Sequence, residues 1–323
     1  MAVNLILLIL GFVLLIKGAD FLLKGATTFS KITHVPELIV GILLVGIGTS
    51  LPEIILTIKS SLSGNTDLIL GNAIGSSICN FLLVLGIACV TKPIKLDLKT
   101  CELHLVILAI SIVVLGVLSN YVFDIGYLDK KEGYILLAVT IIYLIINIKS
   151  ALKQEDSEDK DKSKNKQVKE KIKVKEIIGI IINIIVGVVF LNYGADFVIN
   201  SSKYIAECFR ISAEVISLTI IAAGTALPEI ITSIIASKNH NNDLVMGNII
   251  GSNVFNTVLL PALGAIIAPI EFGVNLNNSL LFLGVLTTGI LIRFVGFEKD
   301  VISKRRGLAF IIIYFVYITT LIV

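Results

Sequence analysis

Two glutamates stand inside apolar stretches, where a carboxylate is costly and is read first as functional. Glu53 lies in Gly48-Thr49-Ser50-Leu51-Pro52-Glu53-Ile54-Ile55, and Glu229 in Gly224-Thr225-Ala226-Leu227-Pro228-Glu229-Ile230-Ile231. A threonine precedes each by four residues, Thr49 and Thr225, so hydroxyl and carboxylate share one helix face. The prolines Pro52 and Pro228 have no N–H, so the carbonyls of Gly48 and Gly224 are expected to lose their helical partners. Each segment thus offers a carboxylate, a hydroxyl and backbone oxygen at a helix break. A hard cation such as Ca2+ takes these donors, at about 2.3–2.6 Å.

A second polar stripe follows each glutamate. Asn72, Ser76 and Asn80 recur every fourth residue, and Asn248, Ser252 and Asn256 match them. Ser76, Asn80, Ser252 and Asn256 are read as further oxygen ligands, and Asn72 and Asn248 as ligands or as ties between helices. Gly71 with Gly75, and Gly247 with Gly251, form small-residue faces that permit close helix approach. Asp20 and Asp196 are read as structural or gating residues toward helix ends. Glu37, Glu214 and Glu271 are expected at solvated helix boundaries, and His34, His104 and His240 near helix ends with no proton-relay role.

These residues belong to an internal repeat at a constant offset of 176. Gly18-Ala19-Asp20-Phe21 returns as Gly194-Ala195-Asp196-Phe197, and the two glutamate segments and polar stripes follow without an insertion. One hydroxyl is missing from the second copy, where Ala226 stands in place of Ser50.

The elements that must hold this chemistry are membrane helices. Of 323 residues, 55% are hydrophobic and 16% charged, and the mean hydropathy is +0.94. Soluble domains carry about a quarter charged residues. A cytosolic enzyme, a nucleic-acid binder and a disulfide-stapled secreted domain are excluded, and a net charge of +3 implies no anionic partner. Cys79, Cys89, Cys101 and Cys208 form no C-x-x-C pair and are read as structural. The apolar run after Met1 lacks a basic flank and carries the repeated motif, so it belongs to the fold.

At roughly 20 apolar residues per crossing, the chain divides into ten spans. They lie near 3–23, 37–60, 67–90, 103–119, 132–148, 177–198, 212–236, 243–268, 278–297 and 306–323. The expected class is an all-α polytopic membrane protein. Its domains are a five-helix repeat at 1–148, a charged linker at 149–176 and a second five-helix repeat at 177–323. The linker holds ten lysines and seven acids, so it is read as solvated. With Met1 outside, the inward connections carry 21 Lys and Arg, against five outward at Lys59, Lys130, Lys131, Lys203 and Arg210. Both termini are therefore expected outside and the linker in the cytoplasm. An odd number of helices separates the copies, so the second crosses in the opposite sense, as in an alternating-access carrier.

At these residues the sequence resembles the sodium/calcium exchanger branch of the cation/calcium exchanger superfamily. Gly48–Asn80 and Gly224–Asn256 are similar to its paired alpha-repeats, and the ten spans and cytoplasmic linker extend the resemblance over nearly the whole chain. The resemblance implies a Na+/Ca2+ antiporter of the plasma membrane, a monomer in the lipid bilayer, with no prosthetic group and no nucleic acid. It implies that Thr49, Glu53, Thr225 and Glu229 hold Ca2+. The same carboxylates, with Ser76, Ser252 and carbonyls near Gly46 and Ala222, would hold Na+, while Asn80 and Asn256 line the centre; Ser50 joins this set. It further implies that the first and sixth helices slide across the other eight. An amide at Asn256 argues against K+ co-transport, and Gly-Thr-x-Leu-Pro-Glu favours Na+ over H+. Two carboxylates neutralise one Ca2+ or two Na+, so shared sites would hold one ion type at a time, and an extra Na+ would make exchange electrogenic.

Three other readings of the residues stand beside this one. An H+/Ca2+ antiporter would use Glu53 and Glu229 as proton carriers. A cation channel would use carboxylates as a ring. An intramembrane protease would need a histidine at the depth of Ser50, where the sequence offers none.

Overall fold

The structure is a computed structural model and describes residues 2–64, 66–120, 127–162, 174–209, 222–271, 274–294 and 299–322. Apolar runs of this length must satisfy their own backbone hydrogen bonds in a bilayer, and they do so as helices. In chain order these are α1 (Ala2–Thr33), α2 (Glu37–Thr49), α3 (Leu51–Leu62), α4 (Asp67–Cys79, continuing to Thr91), α5 (Leu98–Asn120) and α6 (Lys130–Lys162). Then come α7 (Val174–Cys208), α8 (Ala222–Thr225), α9 (Leu227–Lys238), α10 (Asn242–Val254, continuing to Ile267), α11 (Val274–Phe294) and α12 (Lys304–Ile322).

Among the described residues, six helices are long and apolar enough to cross a membrane, or seven if the bent pair α2–α3 is one span. The sequence reading divides the chain into ten. The difference lies in α8–α9, whose upstream residues 210–221 fall outside the described residues, and in α11 and the basic-headed α12. Glu214 and Arg210 fall outside them as well.

Helix ends also differ from expectation. α1 runs on to Thr33 and α7 to Cys208, so Asp20 and Asp196 sit well inside long helices, where both are exposed. α6 continues into the linker as far as Lys162, while residues 163–173 lie outside the described part. His104 is buried within α5, 3% exposed, rather than at a solvated end. His34 and His240 do mark ends, with positive φ of 58° and 63° in the turns after α1 and α9.

α4 and α10 are the most enclosed helices, whereas α1 and α7 expose much of their apolar surface. α1 lies antiparallel along α7, backbone against backbone. A Cβ on Gly18 would come within 2.9 Å of the Gly187 carbonyl oxygen, and one on Gly11 within 2.9 Å of the Gly194 carbonyl oxygen. Only glycine permits that approach, which replaces side-chain interdigitation with extensive van der Waals contact.

Two small ladders clip the connections. β1 (Ile94–Asp97) pairs antiparallel with β4 (Lys299–Ile302), with Lys95 opposite Val301. β2 (Tyr127–Leu128) pairs antiparallel with β3 (Ile270–Glu271), with Tyr127 opposite Glu271. The Tyr127 hydroxyl donates to Glu271 Oε1 at 2.7 Å, which raises the phenol's pKa. Cys79, Cys89 and Cys101 are buried and Cys208 is exposed, all as free thiols.

Candidate functional site: a buried cage of oxygens

The first glutamate segment breaks where its proline requires. α2 ends at Thr49, Ser50 adopts φ −81° and ψ 6°, and α3 restarts with Pro52 in its first turn, bent by 47° from α2. The second segment repeats the geometry, with Ala226 at φ −84° and ψ 0° between α8 and α9 and Pro228 in the first turn of α9. The polar stripes end on local π turns, Asn80–Val84 in α4 and Phe255–Leu259 in α10. Such turns insert a residue, redirect side chains and occur often at functional positions.

Burial brings the expected residues into the interior. Thr49, Ser50, Glu53, Ser76, Asn80, Thr225, Glu229, Ser252 and Asn256 are all buried, with Glu53 at 1% and Glu229 at 2% exposure. Glu229 of α9 lies within electrostatic reach of Glu53, and close to Thr49 and Ser50, in the first segment. The two carboxylates, 176 positions apart, therefore occupy one site. Among the described residues neither has a basic partner. Two unpaired buried carboxylates are expensive, and a bound cation removes that cost.

The Gly46 carbonyl gathers hydroxyls. It accepts the Ser50 N–H at 3.1 Å and the hydroxyls of Thr49 and Ser252 at 3.4 Å each. The Gly46 carbonyl, named by the family resemblance, thus sits in a small polar knot with Thr49 and Ser252, whose oxygens lie 3.5 Å apart. Ala222 opens α8 at the matching position in the second copy.

Asn248 is a tie between helices. Its Oδ1 accepts the Thr49 hydroxyl at 3.0 Å and its Nδ2 donates to Ser233 Oγ at 3.3 Å. Asn72, the matching residue, is half-buried with Nδ2 unpartnered. Among the described residues, Ser50 Oγ, Glu53 Oε2, Glu229 Oε2, Asn80 Oδ1 and Asn256 Oδ1 are buried oxygens without a hydrogen-bond partner. Buried polar atoms are ordinarily paired. Buried unpaired oxygens, two of them acidic, are donors a hard cation would take.

Sequence reasoning missed Asn253, which is fully buried and accepts Asn80 Nδ2 on its Oδ1 at 3.3 Å. Its repeat mate is Ser77, which only bonds back to the Ala73 carbonyl, so the repeat gave no signal for it. An amide inside an apolar span was the only available cue.

The chain matches the family described as "Sodium/calcium exchanger protein" over residues 3–149 and 179–323. It belongs to that family. Members are transporters, not enzymes, and exchange Na+ and Ca2+ across a membrane. Sodium/calcium exchanger MaX1 of Methanosarcina acetivorans is 30% identical to this exchanger over 295 residues, 83% of this chain and 84% of its own. Inner membrane protein YrbG of Escherichia coli is 34% identical over 268 residues, covering 82% of this chain and 80% of its own. The solved structure of the sodium-calcium exchanger NCX_Mj superposes with a TM-score of 0.83 at 26% identity, covering 98% of both chains. The likeness extends past the repeated motifs to nearly every helix of this exchanger.

Proposed function

We propose that this exchanger moves Ca2+ against Na+ by alternating access at a single site shared by its two halves. The observation that carries the reading is the meeting of Glu53 and Glu229, from segments 176 residues apart, in a buried cage of unpaired oxygens. In this reading Thr49, Glu53, Thr225 and Glu229 hold Ca2+. Ser50, Ser76, Ser252 and the carbonyls of Gly46 and Ala222 join the carboxylates for Na+, and Asn80 and Asn256 line the centre. Either cargo cancels the repulsion between the carboxylates. The empty, doubly charged site resists the transition, which couples the two fluxes. An extra Na+ beyond charge balance makes the cycle electrogenic.

The architecture proposed for it is ten spans in two inverted five-helix repeats, 1–148 and 177–323, joined by the cytoplasmic linker at 149–176. It is a monomer in the plasma-membrane bilayer with both termini outside. The two ladders support inversion. Under the offset of 176, Ile94 of β1 becomes Ile270 of β3, and β2 falls beside the end of β4, so each ladder is the image of the other. In the proposed topology one ladder lies on each side of the membrane.

Gly247, Asn248 and Gly251 are buried against α2. By the proposed topology this closed seam lies on the cytoplasmic side.

Ca2+ uptake into proteoliposomes loaded with Na+, compared with K+-loaded vesicles and an imposed pH gradient, tests the reading. Uptake that needs internal Na+, responds to membrane potential and vanishes in Glu53→Gln and Glu229→Gln is expected. Uptake driven by the pH gradient without Na+ would reassign the coupling ion, and full activity in both variants would displace the site.

A further inference from the structure

We propose that Asn253 is a positioning residue that fixes the Asn80 amide with its oxygen turned toward the transported cation. Asn80 begins the π turn of α4, and Asn253 lies on α10, one residue after Ser252. The two amides meet across the interface between the halves, Asn80 Nδ2 donating to Asn253 Oδ1 at 3.3 Å. Both side chains are buried, and among the described residues Asn80 Oδ1 has no partner of its own.

An amide can present either its oxygen or its NH2 to a cation, and only the oxygen binds. With Nδ2 engaged by Asn253, rotation about the last side-chain bond would break a hydrogen bond inside a low-dielectric interior, so the oxygen-forward arrangement persists. The Asn253 Nδ2 is buried without a partner among the described residues, so its Oδ1 contact with Asn80 is the bond that joins the pair. The repeat mate of Asn253 is Ser77, whose hydroxyl donates to the Ala73 carbonyl at 2.9 Å and, among the described residues, accepts no amide. The pin therefore acts on Asn80 alone and makes the two halves of the site chemically unequal.

The inference rests on the ion-site reading above, and a carboxylate at position 80 separates the two. Asp presents an oxygen in either orientation, so the Asn80→Asp background has no use for a pin. Ca2+ affinity is read by thermal-shift titration of purified full-length protein, which also reports folding in the absence of ion. Asn253→Ala is expected to weaken Ca2+ binding by about tenfold and to weaken it by less than about twofold in the Asn80→Asp background. Equal losses in both backgrounds, or wild-type affinity in Asn253→Ala, would overturn the pin. Glu53→Gln reports on the site itself: retained Ca2+ binding there removes the ion-site reading, while its loss together with unchanged affinity in Asn253→Ala removes the pin alone.

Discussion

The Thr49 hydroxyl donates to Asn248 Oδ1 at 3.0 Å across 199 positions of sequence, joining the first glutamate segment to the polar stripe of the other half. The bond restricts the Thr49 side chain beside the glutamate segment. The same amide holds Ser233, so one residue ties α2 to α9 through α10.

Removing that tie has a graded consequence. Asn248→Ala leaves the hydroxyls of Thr49 and Ser233 without this partner, at roughly 1–3 kcal/mol for a buried group left unpaired. Ca2+ affinity is expected to fall about tenfold. Asn248→Asp keeps the acceptor for Thr49 and loses the donor to Ser233, so it is expected to fall between Asn248→Ala and wild type. Titration of both purified variants with Ca2+ checks the order, and equal affinities in all three proteins would deny Asn248 this role.

The closed glycine seam predicts a cost for one added methyl group. A Cβ at Gly247 runs into the Leu38 carbonyl oxygen and comes within 2.8 Å of Gly41 Cα, so backbone must move. Gly247→Ala is expected to cost roughly 1–3 kcal/mol. Thermal melts in detergent should place Gly247→Ala below wild type, and an unchanged melt would mean that the seam is wrongly assigned.

Close contact between α1 and α7 predicts an effect on rate rather than binding. Gly18 and Gly194 let the two backbones touch and lie away from the glutamates in sequence. If α1 and α7 slide together during transport, as proposed from the family likeness, then Gly18→Ala and Gly194→Ala should slow maximal exchange several-fold. Ca2+ affinity should stay within about twofold. A loss of affinity matching the loss of rate would argue for damage to the site instead.

The ladders offer a direct test of sidedness. In a Cys208→Ser background, which removes the exposed thiol, cysteines at Lys95 and Val301 should react with an impermeant reagent only from the cytoplasm. Cysteines at Tyr127 and Glu271 should react only from outside. The reversed pattern would invert the orientation deduced from the lysine and arginine distribution.

Most of the architecture was legible because a bilayer leaves few options. Apolar runs near twenty residues must be helices, and Pro52 and Pro228 must interrupt theirs. The constant offset of 176 marked Glu53 with Glu229 and Asn80 with Asn256 as related positions. Helix ends were less legible. Asp20 and Asp196 were placed toward ends, yet α1 and α7 outlast the hydrophobic thickness, because helical hydrogen bonding continues wherever no breaker stops it.

The sequence by itself determined which residue types the site has, because a carboxylate in an apolar helix is tolerated only for a reason, and a repeat states it twice. Only the tertiary structure decided how those residues divide the work. Asn72 and Asn248 are equivalent by sequence, but Asn248 is spent on Thr49 and Ser233 while Asn72 Nδ2 is unpartnered. Asn253 has no equivalent amide in the repeat, yet it meets Asn80. Such differences arise where α4 and α10 cross, from side-chain contacts between distant segments. A periodic pattern along one chain carries no record of which partner each group finds across the interface.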